Sequence, residues 1–202
     1  NTLQAMEALA RTKSLAVEGA PDLNWQAAIQ FLQNCQNLPS HNQQAWVADG
    51  AADKGGFIYH PGRSNAGETN LNGRVALRSY GSVSYAGLLS YIYADLDKSD
   101  PRVTAVYDWL KQNYTLEENP GLGPQGLYYY FHTMAKALDA YGINKLPTDQ
   151  GLVDWREKLA LRLINLQKSN GSWENDNGRW WEKDTALVTS YALITLKIIA
   201  GG

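Results

Sequence analysis

The side chains able to do chemistry in this 202-residue chain gather in a few stretches. In QGLYYYFHTMAKALDAY, Tyr128 and His132 stand four residues apart, so a helix sets a phenol and an imidazole on one face, and Ala135 leaves room one turn on. With Tyr130, and with Tyr85, Tyr91 and Tyr191 from other segments, such a face can line an aromatic interior, where ring faces attract a cation or stack on a flat ligand. The same rings can instead fill a core, in which case each hydroxyl needs a partner. Carboxylates pair at Glu117/Glu118 and at Glu174/Asp176, near Trp180 and Trp181. Hydrolysis or elimination of a polysaccharide uses such a pair in an aromatic cleft. Asp184 directly precedes an apolar segment, where a carboxylate caps a helix, and Glu182 stands two residues before it. The histidines are His41, His60 and His132, and Cys35 is the single cysteine, which excludes a disulfide framework and a cluster of several thiolates.

Apolar residues recur at helical spacing over roughly 2–18, 24–37, 83–96, 101–114, 125–141, 153–168 and 184–200. Pro101 suits a first helical position, and Gly19 and Gly142 suit helix ends. No segment sustains a period-2 alternation; Gly56–His60 alone could form a short strand or turn. The class is therefore all-α. Segments 24–37, 101–114 and 153–168 carry charges or amides on one side and read as outer helices. Segments 83–96, 125–141 and 184–200 are apolar, small or aromatic nearly all round and read as inner ones. The chain is thus one domain of three helical hairpins, about 24–96, 101–141 and 153–200, after a leading helix.

The links from outer to inner helices are long, about 38–82, 115–124 and 169–183; those from inner to outer are shorter. In stacked hairpins the long links emerge at one end and converge with the N-termini of the inner helices. Asp49, Asp53, His60, Arg63, Arg74, Arg78, Arg179, Trp180, Trp181 and Glu182 lie in or at the edges of these links.

Composition bounds the function classes. With 44% hydrophobic and 19% charged residues the chain is an ordinary globular one, and its net charge of −2 argues against a basic nucleic-acid surface. No run approaches the roughly 18 apolar residues of a membrane span. The opening NTLQAMEALA is no signal peptide and lacks an initiator Met, so the chain is expected to be processed or excised from something longer. Either the cytoplasm or export after removal of an N-terminal segment fits.

The outer helices share an ending. Phe31-Leu32 is followed by Gln36; Leu163 is followed at the same spacing by Gln167 and then by Gly171-Ser172-Trp173; Trp109-Leu110 has Tyr114 in the Gln place and then Gly121. The Gln can bond carbonyls at the helix end, and the Trp can stack on its amide. This pattern resembles the QW repeat of the prenyltransferase and squalene-cyclase superfamily, most specifically in LRLINLQKSNGSW and DTALVTSYALITL. The resemblance implies an α/α toroid, of which three hairpins form a part. It also implies a polyprenyl or triterpenoid-like ligand in an aromatic interior.

What the resemblance implies for catalysis is narrower. Squalene-type cyclases carry Asp-x-Asp-Asp before Thr-Ala; this chain has Trp181-Glu182-Lys183-Asp184, with Lys183 in the place of the acid. A lysine does not protonate an alkene, so Glu182 and Asp184 remain as acid candidates, with His132. Prenyltransferase β subunits hold zinc through Asp, Cys and His; the matching places hold Tyr80, Ser82 and His132. Two ligands of three are missing, so no zinc and no other cofactor is expected. Any chemistry would be acid–base, near Glu182, Asp184, His132 and Tyr128, with Tyr85, Tyr130, His60, Trp180 and Trp181 as ligand contacts. The partner is then a hydrophobic small molecule, not a nucleic acid, with the rest of the ring or another chain packed alongside. A non-catalytic scaffold and a polysaccharide lyase or hydrolase remain open as alternatives.

Overall fold

The computed structural model describes residues 2–12, 24–149 and 151–201. These form seven α-helices: α1 (Thr2–Thr12), α2 (Trp25–Cys35), α3 (Gly81–Tyr93), α4 (Pro101–Gln112), α5 (Leu127–Tyr141), α6 (Trp155–Leu166) and α7 (Thr185–Ile199). Each outer and inner helix begins within two residues of its expected start. The leading helix is described over Thr2–Thr12; residues 13–18 of its expected span, and Gly19, lie outside the described residues.

Local chemistry fixes the outer starts. The Asn24 side chain accepts from Ala27 N, Asp100 from Arg102 N ahead of Pro101, and Asp154 from Glu157 N. Inner helices α3 and α5 have no cap of their own, since Tyr80 and the left-handed Gly126 precede them without a side-chain bond. In the inner row α3 packs on α5 and α5 on α7; α2 and α4 pack on α3, and α6 packs on α7. Helix α5, at the centre of this row, buries Phe131, Met134 and Leu138 completely. Each such side chain contributes about 2 kcal/mol of apolar burial.

Pure helix is not what forms. Two antiparallel hairpins interrupt the connections: β1 (Glu68–Leu71) with β2 (Arg74–Leu77), and β3 (Lys145–Thr148) with β4 (Gly151–Asp154). The first turns on Asn72-Gly73, both at positive φ, a primed turn that matches strand twist. Its strands are four residues long and bury only Ala76 and Leu77, so they leave only a weak alternation in the sequence. The chain is mainly helical with two small sheets, and the all-α expectation is corrected on that point. At 56–60 the backbone makes isolated bridges, Gln36 to Phe57 and His60 to Arg63, and no full strand.

The helix-ending motif recurs as geometry. In the third hairpin Gln167 Nε2 donates to Gly171 O at 2.9 Å, Lys168 N to Ser172 O at 2.8 Å, and Trp173 N to Thr189 Oγ1 at 3.2 Å. In the first, Gln36 Nε2 donates to Gly55 O at 3.0 Å, Asn37 N to Gly56 O at 2.8 Å, and Phe57 N to Ser84 Oγ at 2.9 Å. Gly55-Gly56-Phe57 is therefore the counterpart of Gly171-Ser172-Trp173. Gly55 is required: its φ is +97°, and a Cβ would stand 2.3 Å from Ala105 O.

Candidate functional site

A cavity of about 560 Å³ opens where the long connections meet the N-terminal ends of α3 and α5. Its volume falls among small-molecule sites, which run roughly 300–1,000 Å³. Leu32, Cys35, Phe57 and Ile58 form its buried apolar part, with Val83 and Ala86 of α3 beside them. Phe31, Tyr80, Tyr129 and Tyr191 add aromatic surface. The N-terminal end of α1 closes one side through Thr2, Leu3 and Gln4. Exposed Tyr59, His60, Arg63, Arg179 and Trp180 form the rim.

Glu182 is the carboxylate among the lining residues and is 1% exposed. Its Oε1 accepts from Tyr129 N at 2.8 Å, and its Oε2 from Tyr128 N at 3.3 Å and from Asn175 Nδ2 at 2.6 Å. It thus caps α5 from the connection between α6 and α7. Asn119 does the same for α3, accepting from Ser82 N at 2.9 Å and donating to Ser82 Oγ at 3.1 Å. Burial pushes the Glu182 pKa up, while its hydrogen bonds oppose that rise. A carboxyl facing three donors is held as an acceptor, so its first role is to close the helix end.

The remaining sequence candidates separate into three groups. His60 and Trp180 line the cavity with Glu182. His60 lies 5.9 Å edge-on to Phe31, and its Nδ1 stands 2.9 Å from Pro61 O; a carbonyl only accepts, so Nδ1 carries the proton there. Asp184 and Trp181 lie outside the lining. Asp184 is the exposed cap of α7, accepting from Ala186 N at 2.9 Å and Leu187 N at 3.1 Å, and Trp181 is 81% exposed.

Tyr85, Tyr128 and Tyr130 belong to the interhelical core, His132 is half-buried beside it, and none of the four lines this cavity. Tyr130 donates to Thr115 O at 2.9 Å and packs 5.7 Å from Tyr85, whose hydroxyl has no partner. Tyr128 packs edge-on to Phe131 at 6.0 Å. His132 stacks on Tyr191 at 5.4 Å, its Nδ1 is buried without a partner, and burial lowers its pKa to about 4. The α3 and α5 surfaces are apolar on nearly every side, so packing on both neighbours consumes the face that carries these rings. Sequence reasoning passed over Tyr129, on the adjacent face of the same tyrosine run. Its hydroxyl is hydrogen-bonded to the Gln4 side chain, and burial pushes it up to about 12. Tyr80, compared only as a zinc-ligand place, also lines the cavity and accepts from Asn65 Nδ2 at 3.3 Å.

The places that match the zinc ligands of the superfamily the sequence resembles do not fit the metal. Tyr80 and Ser82 line the cavity and are engaged by Asn65 and Asn119, whereas His132 does not line it. No three His, Cys, Asp or Glu side chains stand together as ligands among the described residues. Burial pushes the Cys35 thiol up to about 12, so it faces the cavity as a neutral apolar group and not as a nucleophile. The arrangement suits binding by apolar and aromatic contact. No protein-family model, curated protein or solved structure matches this chain. No helix among the described residues is long and apolar enough to cross a membrane.

Proposed function

We propose that the protein binds a hydrophobic small molecule of polyprenyl or triterpenoid kind in this cavity. The reading is carried by one observation: three separate connections and two inner-helix ends meet around an apolar, aromatic space of about 560 Å³. The alternation of outer and inner helices and the doubled Gln–Gly–aromatic closure support the toroid-type relationship that the sequence resembles. Were a reaction to occur, Glu182 would be the nearest carboxyl. Its engagement by Tyr128, Tyr129 and Asn175 instead favours a second reading, a binding scaffold without turnover. A polysaccharide site is less supported. Glu117 pairs with Arg162 at 2.8 Å, Glu174 pairs with Lys168, and neither lines the cavity.

Thermal denaturation with a C15–C30 isoprenoid alcohol tests the reading. A ligand at about 100 times its Kd adds about 2.7 kcal/mol of stability. Ala86→Trp, which fills the space from α3, should abolish that gain while leaving a folded protein. No stabilisation by any isoprenoid would refute the proposal. Product analysis after prolonged incubation separates turnover from binding.

A further inference from the structure

The chain holds three Asn-Gly pairs, Asn72-Gly73, Asn170-Gly171 and Asn177-Gly178. In such a pair the glycine nitrogen, unshielded by a side chain, can attack the asparagine Cγ and close a five-membered imide. The attack needs a glycine N–H free to give up its proton, a donor on the carboxamide oxygen where charge develops, and an amine free to leave. The fold separates the three pairs on these terms. Gly73 N donates to Asn70 Oδ1 at 2.8 Å, and Gly171 N donates to Lys168 O at 2.9 Å, so both nitrogens are committed. Gly178 is exposed, and its N–H makes no hydrogen bond among the described residues.

The electrophile of the third pair is prepared as well. Asn177 Oδ1 accepts from Arg179 N at 3.0 Å, a backbone donor placed where an oxyanion would form, and Asn177 Nδ2 has no hydrogen-bond partner among the described residues. The loop around the pair is tied at its feet. Asn175 N donates to Glu182 O at 2.9 Å, Asn175 Nδ2 to Glu182 Oε2 at 2.6 Å, and Asn177 N to Asn175 Oδ1 at 2.9 Å. A held loop lowers the entropy cost of bringing nitrogen and Cγ together. Asn170 Oδ1 also accepts, from Ser172 N at 3.1 Å and Ser172 Oγ at 2.8 Å, yet its glycine nitrogen is the committed one.

We propose that Asn177-Gly178 is a self-modification site, at which the folded protein converts asparagine to aspartate and isoaspartate with water as the only co-reactant. Gly178 N gives its proton to solvent base and bonds to Asn177 Cγ. The Cγ–Nδ2 bond then breaks, and Nδ2 leaves as ammonia after taking a proton from water. Water opens the imide on either side. Breaking the new N–Cγ bond yields aspartate; breaking the original peptide C–N bond yields isoaspartate, whose chain runs through Cβ. Either product adds one negative charge two residues from Arg179, which lines the cavity. Isoaspartate also lengthens the backbone of the loop that holds Trp180 and Trp181 at left-handed φ, +55° and +67°.

The test ages the whole protein in mildly alkaline buffer, once native and once unfolded in guanidinium chloride, and follows each Asn-Gly pair by peptide mapping with mass spectrometry. Methyl transfer by an isoaspartyl methyltransferase counts the isoaspartate. In the native protein Asn177 should lose its amide tenfold or more faster than Asn72 and Asn170, giving both products. In the unfolded chain the three rates should converge to within a few-fold. A native Asn177 no faster than the other two overturns the proposal. The same ranking in the unfolded chain overturns the role of the fold. Gly178→Ala puts a Cβ 3.0 Å from the flexible Lys183 stem, so it should fold with an unchanged melting temperature. It should slow Asn177 tenfold or more and leave Asn72 and Asn170 as they were. An unchanged rate in that variant overturns the assignment of the Gly178 nitrogen as nucleophile; should the variant fail to fold, the native and unfolded wild-type rates still decide.

Discussion

Glu182 illustrates how a residue can be found in the sequence for one reason and used in the structure for another. It stands out beside the Thr-Ala start of α7, where the resemblance implies an acid; in the fold it accepts two backbone N–H groups at the start of α5. Glu182→Gln turns an amide NH2 toward donors, so it should destabilise the protein by about 1–3 kcal/mol in chemical denaturation. Loss of stability below about 0.5 kcal/mol would mean that the cap is not formed. His132 yields a pH prediction. Burial lowers its pKa from 6.5 to about 4, so the unfolded chain binds the extra proton first. Its neutral form therefore supports the fold fully above pH 6.5, and that support is lost as pH falls from 6.5 toward 4. A depression from 6.5 to about 4 corresponds to about 3 kcal/mol. His132→Phe should remove this part of the acid sensitivity, with stability at pH 7 changed by less than about 1 kcal/mol, since its Nδ1 has no partner to lose. Asp184 was legible as a cap because an acid before Thr-Ala has a local meaning. The fate of Tyr85, Tyr128 and Tyr130 was not, because spacing puts rings on a face but does not say whether a neighbour or a cavity meets it.

At the scale of elements, helix starts were legible from prolines, caps and apolar spacing, and the two β-hairpins were not, because four-residue strands with at most two buried side chains each are too short to leave a pattern. Asn72-Gly73 was the available signal for the first of them. The Gln–Gly–aromatic closure was visible where its parts are near in sequence. Gln167 reaches Gly171 across four residues, whereas Gln36 reaches Gly55 across nineteen, a separation no short motif spans. The two glutamines nevertheless differ in worth. Gln36 is fully buried, donates also to Arg102 O at 2.9 Å and accepts from Tyr91 Oη at 2.9 Å; Gln167 is exposed and makes a single side-chain bond. Gln36→Ala leaves a buried hydroxyl and two carbonyls without partners and should cost about 2–4 kcal/mol, against about 0.5–1 kcal/mol for Gln167→Ala. Trp173 is 3% exposed and donates to Leu163 O at 2.7 Å, so Trp173→Ala should cost about 3–5 kcal/mol. Urea titration of the three variants orders them; equal costs for the two glutamines would show that burial by the second hairpin contributes nothing.

At the scale of the molecule, the inner row is covered unevenly. Helix α3 meets α1, α2, α4 and α5, and α5 lies between α3 and α7, whereas α7 contacts only α5 and α6 substantially among the described elements. Its outer face carries Ala186, Ser190, Leu193, Ile194 and Lys197 at helical spacing, all exposed, with Leu193 at 55% and Ile194 at 47%. The exposed Leu161 and Ile164 of α6 belong to the same last hairpin. The opposite side of α7 buries Val188, Ala192 and Thr195. The two sides should therefore respond differently to charge. Leu193→Glu/Ile194→Glu places carboxylates in water and should shift unfolding free energy by less than about 0.5 kcal/mol per site. Val188→Glu puts an unpaired carboxylate into a dry contact with the rest of the inner row and should unfold the domain or cost more than about 4 kcal/mol. Denaturation at two protein concentrations makes the comparison. If the exposed pair instead costs several kcal/mol, and more at high concentration than at low, then α7 is covered in solution as α3 and α5 are, and its apolar face is an interface.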